Sequence, residues 1–268
     1  MLREVGLLAG LYAAYTATRI AATGSWGVAR SHADGIVAVE RWLGLDVELG
    51  LNRAISGTPW LEAITSYWYQ SMHFLVTPAV LVLLYVRRPA LYRPARTALM
   101  GATFLALVGY WFYPTAPPRL MLGGEYVDTV SEASRWGWWP SAAEQAVNGS
   151  QSVTNQVAAM PSMHVGWALW VSLVFASLAR RLATRVAAFG YVTTTVVVVL
   201  VTGNHWVLDA VVGALVVVLA CAVSGRAYRL WPAPRRSPAD AVPPAQTPAD
   251  EPAAALASQP EPRPLTSR

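Results

Sequence analysis

Long runs of apolar residues, separated by short polar segments, dominate the first 230 positions of the chain. A helix needs about 20 apolar residues to cross roughly 30 Å of hydrocarbon, and six runs approach that length. They cover residues 5–23, 67–86, 95–113, 163–179, 186–202 and 206–223. The fifth run is rich in Thr and Val and would suit a strand in a soluble protein. An isolated open strand in lipid leaves its backbone groups without partners, so we predict a helix there too.

The pattern therefore predicts an all-α, polytopic membrane protein built as a six-transmembrane-helix bundle. The first run has an alternative interpretation as a cleaved signal peptide, because small residues occupy positions 21–25 at its end. Arg19 inside the run and the single basic residue before it favour a retained span.

Composition supports the membrane interpretation. Apolar residues make up 54% of the chain and charged residues only 13%, whereas a soluble domain has about 25% charged residues. The net charge of +5 could suggest nucleic acid, but all 20 basic residues are Arg, and 11 of them form clusters at the ends of apolar runs. They are typical of topology markers. We therefore expect the bilayer and a membrane lipid as partners, and no nucleic acid; the sequence carries no signal for an oligomeric state.

Arginine also predicts the orientation. Basic clusters fill the loops between runs two and three and between runs four and five, and they follow run six. These clusters are Arg87, Arg88, Arg93 and Arg96; Arg180, Arg181 and Arg185; and Arg226, Arg229, Arg235 and Arg236. Loops on the cytoplasmic side of a membrane protein carry an excess of basic residues. With six spans, both termini are then cytoplasmic. The two longer segments between runs, at about 24–66 and 114–159, face outward from the cell (plasma) membrane.

The chain divides into a six-span membrane catalytic domain at 1–230 and a tail at 231–268. The tail is rich in Pro and Ala, cannot bury a core, and is predicted to be disordered and cytoplasmic. In the outer segment 24–66, Ile36, Val39, Leu43 and Val47 recur at helical spacing. They predict a helix that either lies along the membrane surface or packs on the tops of the spans.

Three polar segments, far apart in sequence, meet the outer face at the ends of runs. The third run leads into the segment PTAPPR, which ends at Arg119. The fourth begins with PSMH, which contains Ser162 and His164. The segment GNHWVLD, with His205 and Asp209, joins the fifth run to the sixth. The topology therefore predicts that the three segments converge at one membrane depth.

The residue types in these segments suit phosphoryl transfer. His205 and Asp209 are spaced i, i+4, within reach on one helical face, and a carboxylate beside an imidazole fixes its tautomer. His164 lies in the first turn of a helix, where N–H groups favour an anion, and Ser162 adds a hydroxyl. Arg119 can hold phosphate oxygens in bidentate fashion. One His would attack phosphorus while the other protonates the leaving oxygen.

Other interpretations of these residues remain open. Any one His at a span end could be a hydrogen-bonded interfacial residue, although Asp209 inside a membrane helix is costly and typical of function. A zinc site made of His164, His205 and Asp209 lacks the usual ligand pairs, and Arg119 would repel a cation. We therefore predict no metal and no cofactor. A non-catalytic lipid-binding or transport protein is the alternative from another functional class.

Together, the PSMH, His205-x-x-x-Asp209 and Arg119 segments resemble the three motifs of the type 2 phosphatidic acid phosphatase superfamily, which includes vanadium haloperoxidases. The order and spacing match within 67–213, and the wording PTAPPRL and GNHWVLDA is similar to the inositol phosphorylceramide synthase branch. The resemblance implies the phosphatase/haloperoxidase core fold and a metal-independent enzyme. It implies that His205 is the nucleophile, forming a phosphohistidine, that His164 is the general acid, that Asp209 orients His205 and that Arg119 binds phosphate.

Two departures from the superfamily pattern bear on the substrate. Phe112 stands where the superfamily has a Lys seven residues before its Arg, and Val199 where it has an Arg six residues before its nucleophile. Fewer cations favour a lipid phosphotransferase of the synthase-like branch over a lipid phosphate or polyprenyl (di)phosphate phosphatase. Candidate headgroup contacts are His73, Tyr69 and Asn204.

Overall fold

The computed structural model describes residues 26–121, 123–147 and 156–230, together with Gly6, Gly10 and Ala13. Apart from these three positions, the first predicted span lies outside the described residues, as does the predicted tail. The helices in chain order are α1 (Trp26–Leu43), α2 (Glu48–Ile55), α3 (Pro59–Arg87), α4 (Pro89–Phe112), α5 (Thr129–Glu132), α6 (Ala142–Val147), α7 (Met163–Leu178), α8 (Leu182–Val201) and α9 (Val207–Leu230). No strand occurs in the described ranges, so the predicted all-α class is confirmed; the fifth apolar run is helical despite its β-branched residues.

Local sequence explains where several helices begin and end. Both α3 and α4 have a proline in their first turn, where the missing N–H removes no intrahelical bond and the fixed φ suits a helix. Helix α8 ends at Val201, and Gly203, two residues later, has a φ of 65°. Glycine adopts this left-handed conformation without the penalty of a Cβ, and it closes the helix there.

Within the described part of the chain, three helices are long and apolar enough to cross a membrane: α3, α8 and α9 through Tyr228. Only 17% of the apolar 18-residue stretch of α3 is buried inside the protein, and 33% of the corresponding stretches of α8 and α9 is buried. Such apolar and largely uncovered faces are stable in lipid rather than water. Helix α7 is apolar but has 16 residues, about 24 Å at 1.5 Å per residue. The chain is thus built as an integral membrane protein, and the count of six spans stays a prediction.

Helices α3, α4, α7 and α9 share the largest core. Trp170 of α7 is buried there and donates its indole N–H to the carbonyl oxygen of Ala95 at 2.9 Å. Side-chain hydrogen bonds also join neighbouring helices: Trp167 donates to Thr103 and Trp68 to Thr195, each at 3.1 Å. In an apolar surrounding such pairs satisfy polar groups and hold helices in register.

Helix α1 packs on the bundle rather than standing apart from it. Its buried side chains are Ala29, Ala33, Ile36 and Glu40, and the first three share a cluster with Trp206 at the start of α9. Of the predicted apolar stripe, Ile36 is buried, Val39 and Leu43 are exposed, and Val47 lies beyond the helix end. The two alanines of the buried face allow the backbone of α1 to approach the bundle closely.

Candidate functional site

Backbone hydrogen bonds join the three predicted polar segments directly. Thr115 donates its N–H to the carbonyl oxygen of Val157 at 2.6 Å, and Ala159 donates back to Thr115 at 3.2 Å. Thus the segment after α4 is paired with the segment before α7. Elsewhere, Ser162 donates its N–H to the carbonyl oxygen of Asp209 at 2.9 Å, so the start of α7 lies against the first turn of α9. The predicted convergence of the segments is present in the structure.

His205 is 4% exposed and has two neighbours at one ring nitrogen. Its Nδ1 lies 2.9 Å from the carbonyl oxygen of Ala159 and 3.4 Å from Oδ2 of Asp209. A carbonyl oxygen can only accept, so Nδ1 carries a proton and donates it. In the neutral ring, Nε2 then keeps its lone pair, and no group in the described ranges hydrogen-bonds to this nitrogen. Such a tautomer leaves the lone pair of Nε2 available to a ligand.

Asp209 is fully buried at the third position of α9. Its Oδ2 accepts the backbone N–H of Trp206 at 2.9 Å, so the carboxylate also caps its own helix. A side chain that bonds back from this position to the helix start is the return half of a capping box. The predicted i, i+4 proximity of His205 and Asp209 is present, but Asp209 shares the Nδ1 proton with the closer carbonyl of Ala159.

The two predicted histidines lie side by side. The ring centroids of His164 and His205 are 5.6 Å apart. The His164 ring stacks on Tyr69 with a centroid distance of 4.2 Å and meets His73 edge-on at 4.3 Å. Helix α3 thus supplies an aromatic wall that fixes the plane of the His164 ring. Of the three candidate headgroup contacts, Tyr69 and His73 lie beside the histidine pair.

Asn204 is placed differently. It is 4% exposed, and its side-chain amide donates to the carbonyl oxygen of Thr202 at 3.2 Å. The side chain therefore supports the turn between α8 and α9, and its assignment as a headgroup contact stays a prediction.

The close approach of α7 and α9 at the site depends on a glycine. A Cβ added to Gly213 would lie 2.2 Å from the carbonyl oxygen of Ser162, which is closer than any nonbonded contact permits. Ser162 itself is fully buried, and its hydroxyl has no hydrogen-bond partner among the described residues. A buried hydroxyl without a partner is costly unless a ligand supplies one.

Arg119 lies in a 3₁₀ turn formed by Pro118–Leu120. Its backbone N–H donates to the carbonyl oxygen of Gly203 at 2.9 Å, two residues before His205. The guanidinium Nε lies 3.2 Å from Oδ2 of Asp128, and both side chains are mostly covered. The predicted phosphate ligand is therefore anchored beside the third segment, and its charge is partly offset by a carboxylate.

Sequence reasoning missed several residues that hold this arrangement. Asn52 of α2 is fully buried; it donates to the carbonyl oxygens of Val201 at 2.8 Å and Val127 at 3.0 Å, and accepts the N–H of Val127 at 2.8 Å. It thus ties the end of α8 to the residue before Asp128. Glu40 and Glu48 accept backbone N–H groups at the start of α9. The sequence carried no local signal for these contacts, because polar residues are expected on the exposed side of an amphipathic helix.

Across the ranges that the structure describes, no group of three or more His, Cys, Asp or Glu side chains is arranged to hold a metal ion. The metal-independent mechanism stays a prediction for experiment.

Comparisons with known proteins place the chain in a family. The crystal structure of Aquifex aeolicus LpxE is similar to it over 68% of this chain and 94% of that one, with 18% identity and a TM-score of 0.49. No curated protein matches the chain. The sequence model of the PAP2 superfamily matches residues 34–223, which include all three polar segments. This membership supports a phosphatase-type enzyme acting on a membrane lipid. The chain belongs to the PAP2 superfamily.

Proposed function

We propose that this protein cleaves phosphate esters of membrane lipids by transferring the phosphoryl group, or the phosphate with its headgroup, to Nε2 of His205. The observation that carries the proposal is the hydrogen bond from His205 Nδ1 to the carbonyl oxygen of Ala159. This bond selects the tautomer whose Nε2 has a free lone pair, and Nε2 has no partner among the described residues.

Two half-reactions follow from this assignment. In the first, Nε2 attacks phosphorus, the bond from phosphorus to the leaving oxygen breaks, and a protonated His164 gives that oxygen its proton. In the second, water or an alcohol attacks the phosphohistidine, the P–N bond breaks, and His164 takes the proton of the incoming hydroxyl. Asp209 balances the positive charge that His205 gains on attack. The buried hydroxyl of Ser162 and the guanidinium of Arg119 would hold the phosphorus oxygens.

The charge at the site favours transfer from a phosphodiester lipid over hydrolysis of a monoester. A phosphomonoester carries up to two negative charges at neutral pH, and a diester carries one. Position 199, which has a cation in the wider superfamily, is a fully buried Val, and Phe112 at the other departing position is exposed. Asp128 further offsets the charge of Arg119. We therefore infer a lipid phosphotransferase similar to inositol phosphorylceramide synthases, with a lipid phosphate or polyprenyl (di)phosphate phosphatase as the alternative.

The arginine pattern supports an outward-facing site in the plasma membrane with cytoplasmic termini. A reporter fused after Arg268 should behave as cytoplasmic, and one inserted near Gly124 as exported. A cytoplasmic signal at Gly124 would overturn this orientation.

The function is tested with purified protein and a panel of labelled phosphodiester and phosphomonoester lipids, with and without lipid alcohols. Mass spectrometry follows the phosphate. A new diester product supports transfer, whereas inorganic phosphate from monoesters alone identifies a phosphatase. Acid-labile, base-stable label on the protein should depend on His205 and survive in His32→Ala, a matched variant whose His stacks on Tyr113. Turnover of no lipid phosphate at all would instead favour a lipid-binding or transport role.

The metal-free mechanism is tested on the same preparation. Vanadate, which mimics five-coordinate phosphorus, should inhibit, and EDTA should leave the rate unchanged. Loss of activity with EDTA and recovery with Zn²⁺ or Mg²⁺ would contradict the mechanism.

A further inference from the structure

Two glutamates from separate helices bind the first turn of α9, the helix that carries Asp209. Glu40 of α1 accepts the backbone N–H of Leu208 at 2.7 Å, and Glu48 of α2 accepts that of Val207 at 2.8 Å. Both glutamates are almost completely buried, with 0% and 1% exposure. Acidic side chains at a helix N-terminus interact favourably with its exposed N–H groups.

The carboxylate of Asp209 accepts the N–H of Trp206, the residue just before Val207 in the same turn. Three carboxyl groups therefore surround one helix start that offers only about half a unit of positive charge. Three buried negative charges at this spacing would repel one another strongly.

A shared proton resolves this repulsion. Glu40 and Glu48 accept the N–H groups of two adjacent residues, so both buried carboxyl groups face the same turn of α9, and an ionised carboxylate can only accept hydrogen bonds. No N–H or hydroxyl group among the described residues donates to Oε2 of Glu40. A buried carboxylate oxygen without a donor, close to two other carboxyl groups, is costly, and a proton on one of the two glutamates removes this cost.

We propose that Glu40 and Glu48 form a carboxyl–carboxylate pair with one shared proton that holds the first turn of α9 and thereby positions His205 and Asp209. Their contacts are with the helix backbone, so they are positioning residues that touch no reacting atom. The predicted consequences for turnover rest on the proposed function; the protonation of the pair does not.

The surrounding charges indicate which carboxyl holds the proton. Burial, with the charges of Glu48 and Asp209, raises the pKa of Glu40 from 4.5 to about 8. Tyr126 also titrates beside the pair; burial and the charges of Glu48, Glu40 and Glu125 raise its pKa to about 12, so it stays neutral. Arg41 is the nearby cation, and it pairs with an exposed aspartate. At neutral pH, Glu40 is therefore the protonated member.

The test compares Glu40→Gln, Glu40→Ala and Glu48→Gln by turnover and by infrared spectroscopy. Gln reproduces a protonated carboxyl, since its oxygen accepts from Leu208 and its amide donates to Glu48. Glu40→Gln should keep kcat within about threefold and lose the fall in activity centred near pH 8. Glu40→Ala leaves the Leu208 N–H unbound, and the resulting shift of the turn should lower kcat at least ~10-fold with KM little changed. Glu48→Gln should move the alkaline fall to lower pH.

Infrared spectroscopy gives a readout that does not depend on activity. The carbonyl stretch of a protonated carboxyl should be present near neutral pH and should vanish in Glu40→Gln. Glu62→Gln is the matched control, because Glu62 is also buried and also caps a backbone N–H, that of Gly57 at 2.7 Å. This variant should keep the band and the pH profile of the wild type.

The proposal is overturned if Glu40→Gln retains the band, or if Glu40→Gln is as impaired as Glu40→Ala. Failure of the proposed function looks different: the wild type would turn over no lipid phosphate while the band still disappeared in Glu40→Gln.

Discussion

His205 donates its Nδ1 proton to the backbone carbonyl oxygen of Ala159, 2.9 Å away. A main-chain acceptor cannot be protonated or removed by a side-chain substitution, so this bond fixes the tautomer independently of Asp209. Ala159 is held in turn by its backbone bond to Thr115. The orientation of His205, the proposed nucleophile, therefore depends on a backbone contact between the segment after α4 and the segment before α7.

We predict that His205→Ala and His164→Ala each lower turnover by at least ~10³-fold, because they remove members of one catalytic unit. His164→Ala should still accumulate labelled phosphohistidine when the substrate has a good leaving group, since protonation of the leaving oxygen is then unnecessary. His205→Ala should form none with any substrate. Substantial turnover in purified His205→Ala protein would contradict the nucleophile assignment.

Asp209→Asn should be less damaging than the tautomer argument alone suggests. Loss of the acid in a Ser-His-Asp enzyme costs about 10⁴-fold because the His adopts the wrong tautomer. Here the Ala159 carbonyl retains the correct one, so only the stabilisation of the positive ring is lost. We expect a fall in kcat clearly smaller than 10⁴-fold. A loss equal to that of His205→Ala would show that the carboxylate, rather than the carbonyl, controls the ring.

Gly213→Ala tests the close approach of α7 and α9. The new Cβ would meet the Ser162 carbonyl oxygen at 2.2 Å, so the helices must separate at the site. We expect a lower unfolding temperature and a fall in kcat of at least ~10-fold, since small displacements of reacting groups are costly. Gly225→Ala is the matched control on the same helix, because a Cβ there meets nothing within 4 Å. It should keep activity and stabilise the helix by up to about 1 kcal/mol.

The apolar runs predicted the all-α class because helical spans need only local signals. Three predicted spans lie within helices of the structure or extend at most one residue past a helix end: 67–86 lies in α3, 186–202 in α8 and 206–223 in α9. In the described part of the chain, these three helices are long and apolar enough to cross a membrane. The convergence of the three segments also followed from topology. Both depend on hydrophobicity and chain order, which are read directly from sequence.

Contacts that depend on three-dimensional packing could not be predicted in this way. The role of the Ala159 carbonyl is invisible in sequence because every residue has a carbonyl. Glu40 and Glu48 lie among apolar residues at positions that read as the polar side of an amphipathic helix. Their burial results from the docking of α1 through small residues, and no local pattern encodes that contact.

The stability of the protein should depend on pH through Glu40. Its pKa rises from 4.5 to about 8 on folding, so between these values the folded state binds more protons than the unfolded state. The contribution of Glu40 to stability is therefore complete below about pH 4.5 and is lost as the pH rises through about 8. Thermal unfolding at about pH 6 and about pH 9 should show a larger loss for the wild type than for Glu40→Gln. Equal losses in the two proteins would contradict the raised pKa.

The ion pair between Arg119 and Asp128 leads to a prediction about the charge of the phosphate-donating lipid that the site prefers. Asp128→Asn removes the carboxylate beside the guanidinium but keeps an oxygen that can accept the N–H of Ser131, so the local helix start is preserved. With its charge no longer offset, Arg119 should hold doubly charged phosphomonoesters better. We expect kcat/KM for a monoester lipid to rise several-fold relative to a diester.

The matched control is Asp46→Asn, which removes the exposed partner of Arg41. It should leave the ratio of monoester to diester turnover unchanged, whereas Arg119→Ala should lower kcat/KM for both substrates. If Asp128→Asn left the ratio at its wild-type value, the charge of Arg119 would not be the element that selects the donor. The preference for diesters would then have to come from the shape of the site beside Tyr69 and His73.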